Sequence, residues 1–141
     1  MMANKSLSLK GLRLLVVDDD PDTRKILAIL FKLEGAEVIA VGSAPEALEA
    51  VSDVQPDILI CDICLPGEDG YSLLEKVRKV NKQQTQPEIP AIAMTAFVDE
   101  QDSTSALLAG FQSHIYKPID LKELVCVVTH LIDISSNNSS N

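Results

Sequence analysis

The chain has 141 residues, 46% of them hydrophobic and 23% charged, with a formal net charge of −9 and a pI near 4.5. Such a length fits one domain that buries about two-thirds of the surface its unfolded form exposes. The acidity disfavours direct DNA or RNA binding, because phosphates are repelled over most of the surface, and no apolar stretch is long enough to span a membrane. Met1 to Ser6 lack the apolar core of a secretory signal, so a cytoplasmic location is the default expectation. Three cysteines without such a signal read as reduced, buried small hydrophobes rather than as a disulfide framework.

Residues 1–10 read as an N-terminal extension. From about residue 12 to about 132, short β-rich runs alternate with segments of helical period, the pattern of βα units around a parallel sheet. Expected strands are Leu12 to Val17, Glu37 to Val41, Asp57 to Cys61, Ala91 to Met94 and Gln112 to Tyr116. The first, third and fourth are apolar on both faces, as central strands covered by helices should be. Asp20 is the expected N-cap of the first helix, with Pro21 at its first position and Ile26, Leu27, Leu30 and Leu33 as its apolar face up to Gly35. Ser43 and Glu46 form a capping-box pattern ahead of Ala47, Leu48 and Val51. The third helix is expected near Gly70, burying Leu73, Leu74 and Val77. Asn81 to Glu88 reads as a surface loop, and Asp99 to Ala109 as the weakest helix, polar in its first half. Asp120 and Glu123 make a second capping box, with Ile119 and Leu124 as its staple and one stripe through Leu121, Leu124, Val125, Val128, Leu131 and Ile132. Residues 134–141 read as a disordered polar tail.

The strand ends carry the chemistry. Leu14-Leu15-Val16-Val17 stops on Asp18-Asp19-Asp20, Ile58-Leu59-Ile60-Cys61 on Asp62, Ala91-Ile92-Ala93-Met94 on Thr95, and the weaker run Phe111 to Tyr116 on Lys117-Pro118. In an open α/β sheet, parallel strands open their carboxyl ends onto one edge, where ligands bind. Asp18, Asp19 and Asp62 brought together would repel one another unless a cation neutralised them, and hard oxygen donors suit Mg²⁺ or Mn²⁺. Asp20 is better read as a helix cap. Lys117 is a point charge suited to phosphate oxygens, and Thr95 offers a hydroxyl to the same group.

Through the blocks Leu14 to Asp20, Asp62-Ile63-Cys64-Leu65-Pro66-Gly67-Glu68-Asp69-Gly70, Met94-Thr95-Ala96 and Tyr116-Lys117-Pro118, residues 11–133 resemble the receiver domain of two-component response regulators, of the chemotaxis-regulator type. The resemblance implies an α/β, (βα)₅ flavodoxin-like fold, a doubly wound parallel sheet of strand order 2-1-3-4-5 in three α/β/α layers. It implies that Asp62 is the phosphoacceptor, forming 4-aspartylphosphate, with Thr95 and Lys117 binding the phosphoryl oxygens. It further implies that Mg²⁺ (or Mn²⁺) is held by Asp18, Asp19, Asp62 and the backbone carbonyl of Cys64, and that the Lys117-Pro118 peptide is cis. The switch it implies runs from Thr95 to His114, which occupies a place where Tyr or Phe is common. The phosphoryl donor would be a sensor histidine kinase or a histidine phosphotransfer protein. The readout would be a downstream effector protein, or a homodimer, at the face of the fourth helix, fifth strand and fifth helix. The expected role is that of a stand-alone signalling domain rather than an enzyme, with the aspartyl phosphate lost by autohydrolysis and with apolar Phe97 slowing the attacking water.

Three other readings weigh less. Cys61 and Cys64 match the C-x-x-C spacing of redox and zinc sites, but no second cysteine pair exists. Asp18 and Asp20 match part of the signature of haloacid-dehalogenase-like phosphatases, yet Asp22 stands where that pattern has Thr or Val, and no cap segment is present. A receiver-fold interaction module that is never phosphorylated is the third.

Overall fold

The computed structural model describes residues 9–96 and 106–139, with side chains up to residue 134. Strands β1 (Arg13–Val17), β2 (Glu37–Val41), β3 (Ile58–Asp62), β4 (Ala91–Thr95) and β5 (Ser113–Tyr116) form one sheet of order β2-β1-β3-β4-β5, every pairing parallel. Helices α1 (Pro21–Leu33), α2 (Ala44–Val54), α3 (Gly70–Gln83) and α5 (Leu121–Ser139) connect or follow the strands, with a helical turn, α4, at 106–109. This is the flavodoxin-like arrangement expected, and the strand boundaries agree with expectation to within one residue.

Alternation along the strands divides the core in two. Leu15, Val17, Leu59, Cys61, Ala91 and Ala93 pack beneath α2 and α3, against Val51, Leu73, Leu74 and Val77. Leu14, Val16, Ile58, Ile60, Ile92 and Met94 face α1 and α5, against Leu27, Phe31, Leu124 and Val128. Both faces of β1, β3 and β4 are therefore dry, which is why these strands are apolar without interruption. Leu59, fully buried in the central β3, should cost about 2–5 kcal/mol as Leu59→Ala. A shift of the urea midpoint at constant slope checks this, and an unshifted midpoint would contradict the packing.

The caps form as expected. Asp20 accepts from the Asp22 N–H and the Thr23 hydroxyl (2.7 Å), Ser43 accepts from the Glu46 N–H, and Asp120 accepts from the Lys122 and Glu123 N–H groups. Four expectations need correction, the first being that α3 runs on to Gln83 with Asn81 buried, where a surface loop from Asn81 was expected. On α1 the buried residues are Leu27 and Phe31, while Ile26 and Leu33 are 50% and 71% exposed. This helix is apolar nearly all round, so periodicity could not pick the inward face. Of the cysteines only Cys61 is buried, Cys64 and Cys126 being exposed. The backbone of α5 runs on to Ser139, past the end of its apolar stripe, because an established helix gains a hydrogen bond for each residue added. Phe97 and most of the Asp99 to Ala109 segment lie outside the described residues.

Candidate functional site

Register brings the strand-end residues together. Val17 pairs with Cys61, Asp62 with Met94, and Thr95 with Tyr116, so Asp18, Asp62, Thr95 and Lys117 occupy successive places along one edge. One carboxylate oxygen from each of Asp18, Asp19 and Asp62 lies within 4.8 Å of the others. Asp18 is fully buried and Asp62 is 5% exposed, whereas Asp19 is open to solvent.

Lys117 reaches across the sheet to this cluster. Its ammonium donates to Asp18 Oδ2 and to Asp62 Oδ2, each at 3.1 Å. The remaining oxygens take backbone donors: Asp18 Oδ1 accepts from the Asp20 N–H (2.9 Å), and Asp62 Oδ1 from the Cys64 N–H (3.1 Å). Burial raises the Asp62 carboxyl above the ordinary carboxylate range, and the Asp18 charge adds to this against the lowering bonds from Cys64 and Lys117. Burial also works against the Lys117 ammonium, but its bonds to Asp18 and Asp62 hold it above the usual lysine value. Asp20, by contrast, is lowered chiefly by the Thr23 hydroxyl, as suits a helix cap.

The pocket thus holds three carboxylates against one ammonium, an excess of negative charge on hard oxygen donors. That set fits an Mg²⁺-type cation, with the three aspartates as hard oxygen donors. The Lys117-Pro118 peptide is cis. Thr95 is 5% exposed at the end of β4, opposite Tyr116 in register. On β5 the rings of His114 and Tyr116 meet edge-on, with centroids 5.0 Å apart. Tyr116, opposite Thr95 in register and in ring contact with His114, is a neighbour that sequence reasoning did not name. Its place two residues after His114 on one strand was the available signal, since such residues share a face.

Cys61 is set apart from any redox use. It is fully buried, burial pushes its thiol far up, and its Sγ lies 3.2 Å from the Asp62 carbonyl as a donor. A reactive thiol needs the opposite environment.

The comparisons agree with this geometry. The family profile described as response regulator receiver domain matches residues 14–129. An uncharacterized 14.6 kDa protein from the sodA1 3' region of Leptolyngbya boryana is 40% identical over 121 residues, covering 86% of this chain and 90% of that one. The DNA-binding response regulator MtrA of Mycolicibacterium smegmatis is 34% identical over 116 residues, covering 82% of this chain but 48% of that protein. The crystal structure of a CheY-like response regulator receiver domain protein from Methanospirillum hungatei superposes with a TM-score of 0.81 at 28% identity, covering 92% of this chain and 98% of that one. A match across nearly the whole described sheet, in sequence and in strand order alike, means that this chain belongs to the response regulator receiver domain family of two-component signalling.

Proposed function

We propose that Asp62 accepts a phosphoryl group from a phosphohistidine and that the resulting aspartyl phosphate switches a protein-binding face. The observation that carries this reading is the convergence of Asp62 with Asp18, Asp19 and Lys117 at one sheet edge. A carboxylate oxygen of Asp62 attacks phosphorus, and the electron pair of the breaking P–N bond leaves with the donor imidazole. Lys117 neutralises charge on the transferred group, and the Cys64 N–H keeps the Asp62 carboxylate oriented. Mg²⁺, held by Asp18, Asp19, Asp62 and the Cys64 carbonyl, supplies further charge cancellation when bound. Thr95 then hydrogen-bonds the phosphoryl group, and its new position is passed to Tyr116 and His114 across the strand pair.

Hydrolysis of the aspartyl phosphate ends the signal. The donor is a sensor histidine kinase or a histidine phosphotransfer protein. Exposed Ile26, Ile29 and Leu33 on α1, the helix that starts beside the acidic loop, offer it an apolar contact. The effector, or a second copy, meets the face of α4, β5 and α5, where Leu107 and Leu108 are exposed. No helix among the described residues is long and apolar enough to cross a membrane.

Exposure to acetyl phosphate with Mg²⁺, followed by intact-mass measurement, tests the reading. One phosphate adduct is expected, lost in Asp62→Asn. An adduct that survives in Asp62→Asn but not in Asp18→Asn would move the chemistry to the phosphatase reading. No adduct at all would leave an unphosphorylated interaction module.

A further inference from the structure

Arg24 lies on the first turns of α1 and has no part in the chemistry above, yet it is tied to the acidic loop. Its Nη1 donates to the main-chain carbonyl of Asp18 at 2.8 Å. The Asp18 N–H in turn donates to the Val41 carbonyl at the end of β2 (3.1 Å). Both main-chain polar groups of Asp18 are thus fixed, one by the neighbouring strand and one by this guanidinium. The Asp18 carbonyl and the Asp19 N–H share one rigid peptide plane. Whatever holds that carbonyl therefore also fixes the position of the Asp19 Cα from which the side chain departs.

Gly42 supplies the space. A Cβ on Gly42 would stand 2.9 Å from Arg24 Nη1 and 3.4 Å from Arg24 Cζ, and no other residue comes as near. Gly42 is not among the glycines with positive φ, so its backbone conformation does not call for glycine. The guanidinium does.

We propose that Arg24, admitted by Gly42, is a positioning residue for the metal-binding loop: it locks the Asp18-Asp19 peptide so that the Asp19 carboxylate is presented to the cation. This rests on the reading of Asp18, Asp19 and Asp62 as metal ligands. The sign of the effect separates positioning from plain electrostatics. By charge alone, removing a cation beside a cation site should tighten metal binding. Loss of an outer support instead weakens it, about 10-fold or more.

The test measures Mn²⁺ affinity of the full chain by titration calorimetry or by the paramagnetic resonance of free Mn²⁺, with circular dichroism to check folding. Arg24→Ala is expected to weaken Mn²⁺ binding about 10-fold. Gly42→Ala should weaken it in the same direction, because the methyl group displaces only the mobile end of the arginine and leaves its charge in place. In the Arg24→Ala background, Gly42→Ala should have no further effect. Unchanged or tighter binding in Arg24→Ala overturns the proposal, and so does a Gly42→Ala effect that persists without Arg24. Should Arg24→Ala fail to fold, Gly42→Ala alone decides: unaltered affinity overturns the proposal. Asp19→Asn and Asp62→Asn serve as controls. If they also leave Mn²⁺ affinity intact, the metal-site reading itself falls. If they abolish binding while the Arg24 and Gly42 variants do not, only the positioning role falls.

Discussion

Lys117→Met should lower phosphorylation of Asp62 by acetyl phosphate about 100-fold or more, the usual consequence of removing a preorganised donor from a developing anionic group. Methionine keeps most of the apolar stem, so the loss isolates the ammonium. The same substitution leaves fully buried Asp18 and nearly buried Asp62 facing each other without their shared counter-ion. Breaking a buried pair from one side costs about 3–5 kcal/mol. The lysine side chain is 26% exposed, so solvent screening reduces the expected loss to about 1–3 kcal/mol in metal-free solution. Added Mg²⁺ should recover part of that stability, because a cation between the carboxylates replaces the missing charge, but it should not recover the phosphorylation rate. Urea unfolding with and without Mg²⁺, alongside adduct formation over time, separates the two effects. A Lys117→Met protein that is phosphorylated at the wild-type rate would remove Lys117 from the proposed chemistry.

The pH dependence of the metal-free fold has a sign fixed by the same groups. Asp62 has a raised native pKa, so its contribution is present below the unfolded value of about 3.9 and is lost as pH rises through the native one. Lys117 is also raised; its contribution is present below about 10.4 and is lost only in the more alkaline range. Asp62→Asn should remove the first of these slopes, which comparing the stability of wild type and variant between weakly acidic and neutral pH would reveal.

Gly70→Ala should damage fold and site together. At the start of α3, a Cβ on Gly70 would lie 2.8 Å from the Asp62 carbonyl oxygen, 3.0 Å from Ile63 Cα and 3.2 Å from Ile63 Cδ1. The first two are main-chain atoms at the end of β3, at Asp62 and Ile63, so no side-chain rotation relieves the contact. The Gly70 N–H also donates to the Ile63 carbonyl at 2.8 Å, tying the helix to the segment it would have to leave. Overpacking of this kind costs about 1–3 kcal/mol, against about 0.5–1 kcal/mol gained from alanine's better helix propensity. The net expectation is destabilisation, with slower phosphorylation at saturating Mg²⁺ because the Asp62 main chain is pushed aside. A Gly70→Ala protein at least as stable as wild type, and equally reactive, would contradict the close approach.

Much of this was readable in the chain because local and global signals coincide. An uninterrupted apolar strand followed by a polar residue states both that the strand is central and that its end is a site. Asp18, Asp62 and Thr95 each occupy such an end, whereas Lys117 follows the mixed edge strand β5. Capping residues Asp20, Ser43 and Asp120 announce their helices through side-chain bonds that span only two or three residues. Where several faces are apolar the signal fails: on α1, Ile26, Leu27, Ile29, Leu30, Phe31 and Leu33 permit more than one inward face, and only the sheet beneath selects Leu27 and Phe31. Cys64 could not be told from Cys61 by residue type. Cys61 lies within β3 and Cys64 two residues beyond Asp62, and burial separates them.

By itself, then, the sequence determined the order of βα units, the central and edge strands, the helix caps and the residues at each strand end, because all of these depend on periodicity and short-range hydrogen bonds. Tertiary structure alone decided that Lys117 bonds Asp18 and Asp62 at once across 99 and 55 residues of chain, that Arg24 fills the space beside Gly42, and that Gly70 is held to glycine by main-chain neighbours rather than by φ. Those contacts come from strands and loops that are remote in sequence and adjacent only once the sheet has formed.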